Sequence, residues 1–182
     1  MSETQVLEIK EERKINPMTQ VKLRSVTLNI SVGSNEEKLK KAMIVLEKLT
    51  GQKPSLRRAK KTIKEFKIKR GEPIACIVTI RGKKAENLLD KLLEAVNKRL
   101  KASSFTEFGN FSFGIKEHIS IPGMSYDPSI GILGMDVCVN LEKPGYRVKY
   151  RKRRRNKIGK NHIVKKEEAI QFIKEKFNVI IE

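Results

Sequence analysis

A chain of 182 residues can bury one sizeable core and suggests one domain, two at most. No run of 18 apolar residues occurs, which excludes a membrane-spanning helix, and residues 1–14 lack the apolar core and cleavage pattern of a signal peptide. The net charge of +19 is concentrated: nine Lys and Arg against Glu65 over 53–70, and eleven against Glu142 over 141–165, with the other 139 residues near neutral.

In chain order, residues 1–15 form an N-terminal arm. Val26, Leu28, Ile30 and Val32 then alternate with Ser25, Thr27, Asn29 and Ser31, a strand that Gly33 ends. Ser34 and Glu37 have capping-box spacing ahead of Leu39, Ala42, Met43, Leu46 and Leu49, and Gly51 suits a left-handed helix end. Between Pro54 and the Gly71-Glu72-Pro73 turn lies the first cationic cluster, a basic loop over 53–73 that reads as a long loop or irregular hairpin reaching outward. Phe66 is its lone aromatic, either a hydrophobic peg or a stacking group. A second strand carries Ile74, Cys76, Val78 and Ile80, with Ala75, Ile77, Thr79 and Arg81 behind them.

A second helix is expected from about 83 to 101, with Leu88, Leu92, Val96 and Leu100 in one stripe. Two more strands follow: Phe111, Phe113 and Ile115 alternate with Asn110, Ser112 and Gly114, and Met135, Val137, Val139 and Leu141 alternate with Gly134, Asp136, Cys138 and Asn140. The basic extension spans 143–165, and a last helix from about 165 to 177, within the closing segment 166–182, has Ala169, Ile170, Ile173 and Phe177 on one side. Mixed order without a repeated βα unit indicates an α+β fold, an antiparallel sheet with helices on one face.

The opposite sheet face is unusual. It holds Ser, Thr, Asn, Gly, Ala and Cys where solvated faces carry long charged side chains. Short uncharged groups admit close approach of an RNA backbone or minor groove with its 2′-hydroxyls. The other readings are a covering loop or simple solvation. Cys76 and Cys138 each lie in an apolar run and read as buried, reduced thiols.

A near-neutral body with two cationic arms points to a polyanion, nucleic acid first. Phosphate contacts are expected from Arg57, Arg58 and Lys60 in the loop. In the extension they are expected from Arg147, Lys149, Arg151, Lys152, Arg153, Arg154, Arg155, Lys157 and Lys160. The nine extension cations within 147–160 repel one another, so in isolation the run should not hold a compact shape. A solvated tail or a nuclear import signal is the plainer reading of it. Tyr146 and Tyr150 stand among the cations, where they could stack on bases. Catalysis has little support: His118 and His162 have no nucleophile in a local motif, the two His and two Cys lack zinc spacing, and Gly131-Ile-Leu-Gly134 is not a phosphate loop. No enzyme, metal or cofactor is expected. A nucleic-acid enzyme or a DNA-packaging protein using the same cations is the competing hypothesis.

Several stretches carry a resemblance. They are Asn16-Pro-Met18, Leu28-Asn-Ile-Ser-Val-Gly33, Leu49-Thr-Gly-Gln-Lys-Pro54, Phe66-Lys-Ile-Lys-Arg-Gly71, Val78-Thr-Ile-Arg-Gly82, Gly109-Asn-Phe-Ser-Phe-Gly114, Glu117-His118, Tyr126-Asp-Pro128 and Gly131-Ile-Leu-Gly-Met-Asp136. In this order they resemble large-subunit ribosomal protein five, the 5S-rRNA-binding family numbered eleven in eukaryotes. Lys143-Pro-Gly-Tyr-Arg147 and the basic run after it look like its archaeal and eukaryotic branch. The resemblance implies a structural role on cytoplasmic ribosomes, in the central protuberance of the large subunit, with 5S rRNA, large-subunit rRNA and neighbouring ribosomal proteins as partners. It implies 5S rRNA contacts at Asn29, Gln52, Phe66 and Thr79, and a loop bearing Lys61, Lys64, Lys67, Lys69 and Arg70 that reaches peptidyl-site tRNA. It also implies a bridge to a protein of the small-subunit head. Lys67 departs from the glycine many relatives have there, which adds charge and restricts the loop.

Overall fold

A computed structural model describes residues 16–182, so the arm expected over 1–15 lies outside the described residues. Strands β1 (Lys22–Ser31), β2 (Ser55–Arg58), β3 (Pro73–Ile80), β5 (Phe111–Ile115) and β6 (Met135–Glu142) form one sheet in the order β2-β3-β1-β6-β5. All its pairings are antiparallel. Period-2 alternation sends Val26, Leu28, Ile30, Cys76, Val78, Ile80, Val137, Val139 and Leu141 to one face, where all are buried. Helices α1 (Glu36–Thr50), against β3, and α2 (Lys83–Glu94), against β1, cover that face.

Helix α1 starts one residue later than its Ser34 signal suggests. Asn35 is the cap, its Oδ1 accepting the Lys38 N–H at 3.0 Å, and Glu36 and Glu37 fill the first turn. Both Ser and Asn cap well, and this register sets Leu39, Ala42, Val45 and Leu46 against the sheet. Gly51 ends the helix at φ +64°, its N–H donating to the Glu47 carbonyl.

Helix α2 stops at Glu94, short of the expected 101. Asn97 and Lys98 turn left-handed, and the chain becomes β4 (Arg99–Leu100), paired in parallel with β7 (Ile180–Ile181). Leu100, expected on the helix stripe, is buried from this short strand instead. After α3 (Arg147–Tyr150), a single turn, α4 (Lys166–Phe177) adds Ala169, Ile173 and Phe177 to the same core.

The two thiols part company. Cys76 is buried, and burial pushes its pKa up to about 11. Cys138 is exposed, contrary to expectation, because it alternates with Val137 and Val139 and so points to the other face. Both are free.

Candidate nucleic-acid interface

Register builds the open face of the sheet. Thr79, Thr27, Cys138 and Ser112 make one row across β3, β1, β6 and β5. The next row is Ser55, Ile77, Asn29, Asp136 and Gly114, spanning all five strands. The Thr27 and Thr79 hydroxyls are 3.2 Å apart, and Asn29 Nδ2 donates to Ser31 Oγ at 3.1 Å. Asn29 Nδ2 also reaches Asp136 Oδ2 at 3.5 Å. These bonds leave the Asn29 amide oxygen free to accept. Asn29, Ser31, Gly114, Gly134 and Asp136 line a shallow depression of about 450 Å³. Asn29 and Thr79, two of the expected contacts, therefore sit half-buried on neighbouring rows. Asp136 is a polar member of the face that sequence reasoning did not single out, although its alternation with Met135 and Val137 was visible.

The other two expected contacts lie off the rows. Gln52 is exposed in the turn between α1 and β2, its N–H bonded to Thr50 Oγ1. Phe66 is exposed at the tip of the basic loop and is 66% accessible, which removes the peg reading. The loop is a hairpin: Ala59 N–H donates to the Glu72 carbonyl, Gly71 N–H to Ala59, and Ile63 and Ile68 exchange both backbone bonds. Lys67 at the tip takes φ +54°, the left-handed region that suits glycine, at a strain of about 1–2 kcal/mol. β2 went unread because Ser55-Leu56-Arg57-Arg58 has one apolar residue. It is an edge strand, and its charge protects an edge from further pairing. The same pairing puts Arg57 opposite Ala75, hence on the open face.

The extension is a loop closed at its base rather than a free tail. Lys143, only 6% exposed, contacts both Glu168 carboxylate oxygens at 2.7 and 2.8 Å. Tyr146 is buried and does not stand among the cations for stacking. Its hydroxyl accepts the Val164 N–H at 3.0 Å and donates to the His162 carbonyl, while His162 Nε2 lies 2.7 Å from the Pro144 carbonyl. Gly109 seals the joint: its φ is +72°, and a Cβ there would lie 2.5 Å from Val164 Cγ1. Tyr150 remains exposed, donating its hydroxyl to Glu142 Oε1 at 2.7 Å, a bond that raises its pKa to about 12.

From this frame Arg147, Lys149, Arg151, Lys152, Arg153, Arg154, Arg155, Lys157 and Lys160 all project exposed. The hairpin presents Arg57, Arg58, Lys60, Lys61, Lys64, Lys67, Lys69 and Arg70 likewise. Among the described residues none of these cations pairs with a carboxylate; the ion pairs belong to Arg24, Lys48, Lys98, Arg99, Lys143 and Lys176. The positive field is therefore uncompensated on both sides of a nearly uncharged sheet face. The histidines have structural places: His118 is buried, its Nδ1 accepting the Leu133 N–H, and His162 closes the extension.

Partial burial alone would raise the Glu168 pKa, but bonds from Lys143 Nζ and the Lys165 N–H outweigh it and hold the carboxyl below its ordinary value. A depressed folded pKa contributes stability that is full above the unfolded value, about 4.3, and is lost as pH falls through the folded one. Urea midpoints should therefore drop more steeply in acid for the wild type than for Glu168→Gln, which starts lower at pH 7. Parallel acid limbs would show that this pair does not hold the joint.

The model of the ribosomal protein L5 family matches residues 16–69, and the model of that family's C-terminus matches residues 73–172. The chain is 54% identical over 172 residues to large ribosomal subunit protein uL5 of Sulfurisphaera tokodaii, covering 94% of this chain and 97% of that one. It is 53% identical to the protein of the same name from Pyrobaculum aerophilum over 93% of this chain and 94% of that one. To that of Methanobrevibacter smithii it is 45% identical over 91% and 97%.

Proposed function

Because the chain belongs to the ribosomal protein L5 family, non-enzymatic structural constituents of the large ribosomal subunit in the cytoplasm, we propose that its open sheet face docks 5S rRNA while hairpin and extension clamp the surrounding rRNA phosphates. The observation that carries this is the pairing of a five-strand face of mostly short, uncharged side chains, with Asp136 and Arg57 among its few charges, with two sets of unpaired cations. Phosphate contacts position an RNA, and directed hydrogen bonds to its edges and 2′-hydroxyls select it. Asn29 and Thr79 supply the selecting bonds, Gln52 and Phe66 add contacts off the rows, and the cations supply most of the affinity.

Competition between 5S rRNA and duplex DNA at matched salt tests this reading. The wild type should prefer 5S rRNA strongly, and Asn29→Ala or Thr79→Ala should each reduce that preference about 2- to 10-fold, the worth of one or two hydrogen bonds. Equal binding of both polyanions would return the protein to the DNA-packaging reading.

Besides the contact through Phe66, the hairpin tip serves a second one. It is held on its own backbone bonds away from the Asn29 and Thr79 rows, and its role on peptidyl-site tRNA follows the family resemblance, as does the bridge to the small-subunit head. Replacing Lys61, Lys64 and Lys67 with Ala should leave 5S rRNA binding nearly intact and speed tRNA dissociation from assembled ribosomes. Unchanged dissociation with lost 5S rRNA binding would assign the tip to assembly.

A further inference from the structure

A groove of about 820 Å³ lies where the basic extension folds back beside the end of the sheet, lined by Phe108, Asn140, Glu142, Tyr150 and Ile158 among others. From its walls we infer that it takes one unpaired, unstacked RNA nucleotide, with the base against Phe108 and the phosphate against Lys149, Arg155 and Lys157. The inference rests on the RNA-binding reading above and adds to it a specific place and a specific state of the RNA.

Three features converge. The first is Phe108, 62% exposed, whose ring has no aromatic or cationic partner among the described residues. Its backbone is held in place. Thr106 N–H donates to the Asn110 carbonyl, Gly109 N–H donates to Thr106, and Gly109 abuts Val164. A ring carried on this held backbone, in a groove that Ile158 and Ile163 also line, offers an open π-face to a base.

The second is a pair of oriented amides. Asn110 Oδ1 accepts the Leu141 N–H at 3.3 Å, so its Nδ2 is left as a donor. Asn140 Nδ2 donates to Ser25 Oγ at 3.2 Å, so its Oδ1 is left as an acceptor. Phe111 pairs with Val139, which makes Asn110 and Asn140 neighbours across β5 and β6. One donor beside one acceptor matches the edge of any unpaired base, and a base locked in a duplex cannot present that edge.

The third is the distribution of charge. Glu142, bonded to Tyr150 and 3.5 Å from Arg24 Nε, puts a carboxylate in the groove, which disfavours a phosphate deep inside and accepts base amino groups. Lys149, Arg155 and Lys157 line the same groove from the extension, where a phosphate is favoured. A site for a phosphate alone would need neither the aromatic wall nor the oriented amides.

The test uses the full chain and a uridine dodecamer carrying one central 2-aminopurine, whose fluorescence is quenched on stacking. The wild type should quench it. Phe108→Ala should abolish the quenching and weaken binding about tenfold, the share of one base–aromatic stack. Phe108 is exposed, so this variant should keep the wild-type melting temperature. Phe66→Ala, which removes the exposed aromatic of the basic hairpin, should leave the quenching intact. Absence of quenching by the wild type, or quenching that survives Phe108→Ala and disappears with Phe66→Ala, would overturn the inference. Binding of 5S rRNA by the same samples reports separately on the wider reading: its loss with quenching intact would overturn the 5S rRNA assignment and leave the groove as a site for unpaired nucleotides.

Discussion

The affinity of the chain for 5S rRNA is expected to fall about 10³- to 10⁵-fold between 50 and 200 mM salt, the consequence of roughly 6–10 phosphates neutralised and their condensed counterions released. Residues 147–160 alone offer nine exposed cations, and neither these nor the exposed cations of the hairpin pair with a carboxylate among the described residues. No internal ion pair has to break before an RNA phosphate is met, so the electrostatic gain appears in full as binding. Replacing residues 147–160 with a short Gly-Ser linker should remove a large part of the salt slope and weaken binding to many RNAs alike. The preference for 5S rRNA should persist, because the rows through Asn29 and Thr79 are untouched. An affinity flat across that salt range would sink the electrostatic reading, and selectivity lost with the extension while Asn29→Ala and Thr79→Ala change nothing would show that the sheet and the arms have been given each other's roles.

Gly109→Ala should destabilise the protein by about 2–5 kcal/mol, from left-handed strain together with overpacking. The clash is specific: the new methyl would meet Val164 Cγ1 at 2.5 Å and Cβ at 3.0 Å, and Val164 is fully buried. Val164 cannot retreat without breaking the bond from its N–H to the Tyr146 hydroxyl, one of the bonds that close the extension. The melting temperature should fall by roughly 5–15 °C for a chain of this size. Hydrogen exchange at the Val164 amide should rise more than exchange in β1. A melting temperature within a degree or two of the wild type would mean that the joint is slack.

What the sequence disclosed divides along physical lines. The apolar faces of β1, β3, β5 and β6 follow from period 2, and so does the polar face that carries Asn29 and Thr79. Cys138 was misplaced only where a local apolar run was preferred to that alternation. Helix ends were less legible: Asn35 and Ser34 are equivalent cappers, and the stop after Glu94 depends on a parallel pairing with Ile180 and Ile181, far along the chain. The closure of the extension had no local signal at all. It needs Lys143 to meet Glu168 and the Tyr146 hydroxyl to meet Val164, contacts 25 and 18 residues apart that no pattern of charge announces. For the same reason Tyr146 read as a stacking residue among cations, and the groove beside Phe108 could not be foreseen.

The strand order also has a consequence for how the protein is made. β1 lies between β3 and β6, yet β3 is complete at Ile80 and β6 only at Glu142, about 60 residues later. At 5–20 residues per second, synthesis leaves one side of β1 without its neighbour for roughly 3–12 s. An unpaired strand edge beside Val26, Leu28 and Ile30 is a template for joining two nascent chains. Residues 1–80 by then carry 18 Lys and Arg against 9 Asp and Glu. Mutual repulsion between such halves opposes edge-to-edge pairing during that interval. The charge that the proposed docking would use in the finished protein is thus expected to keep unfinished copies apart first.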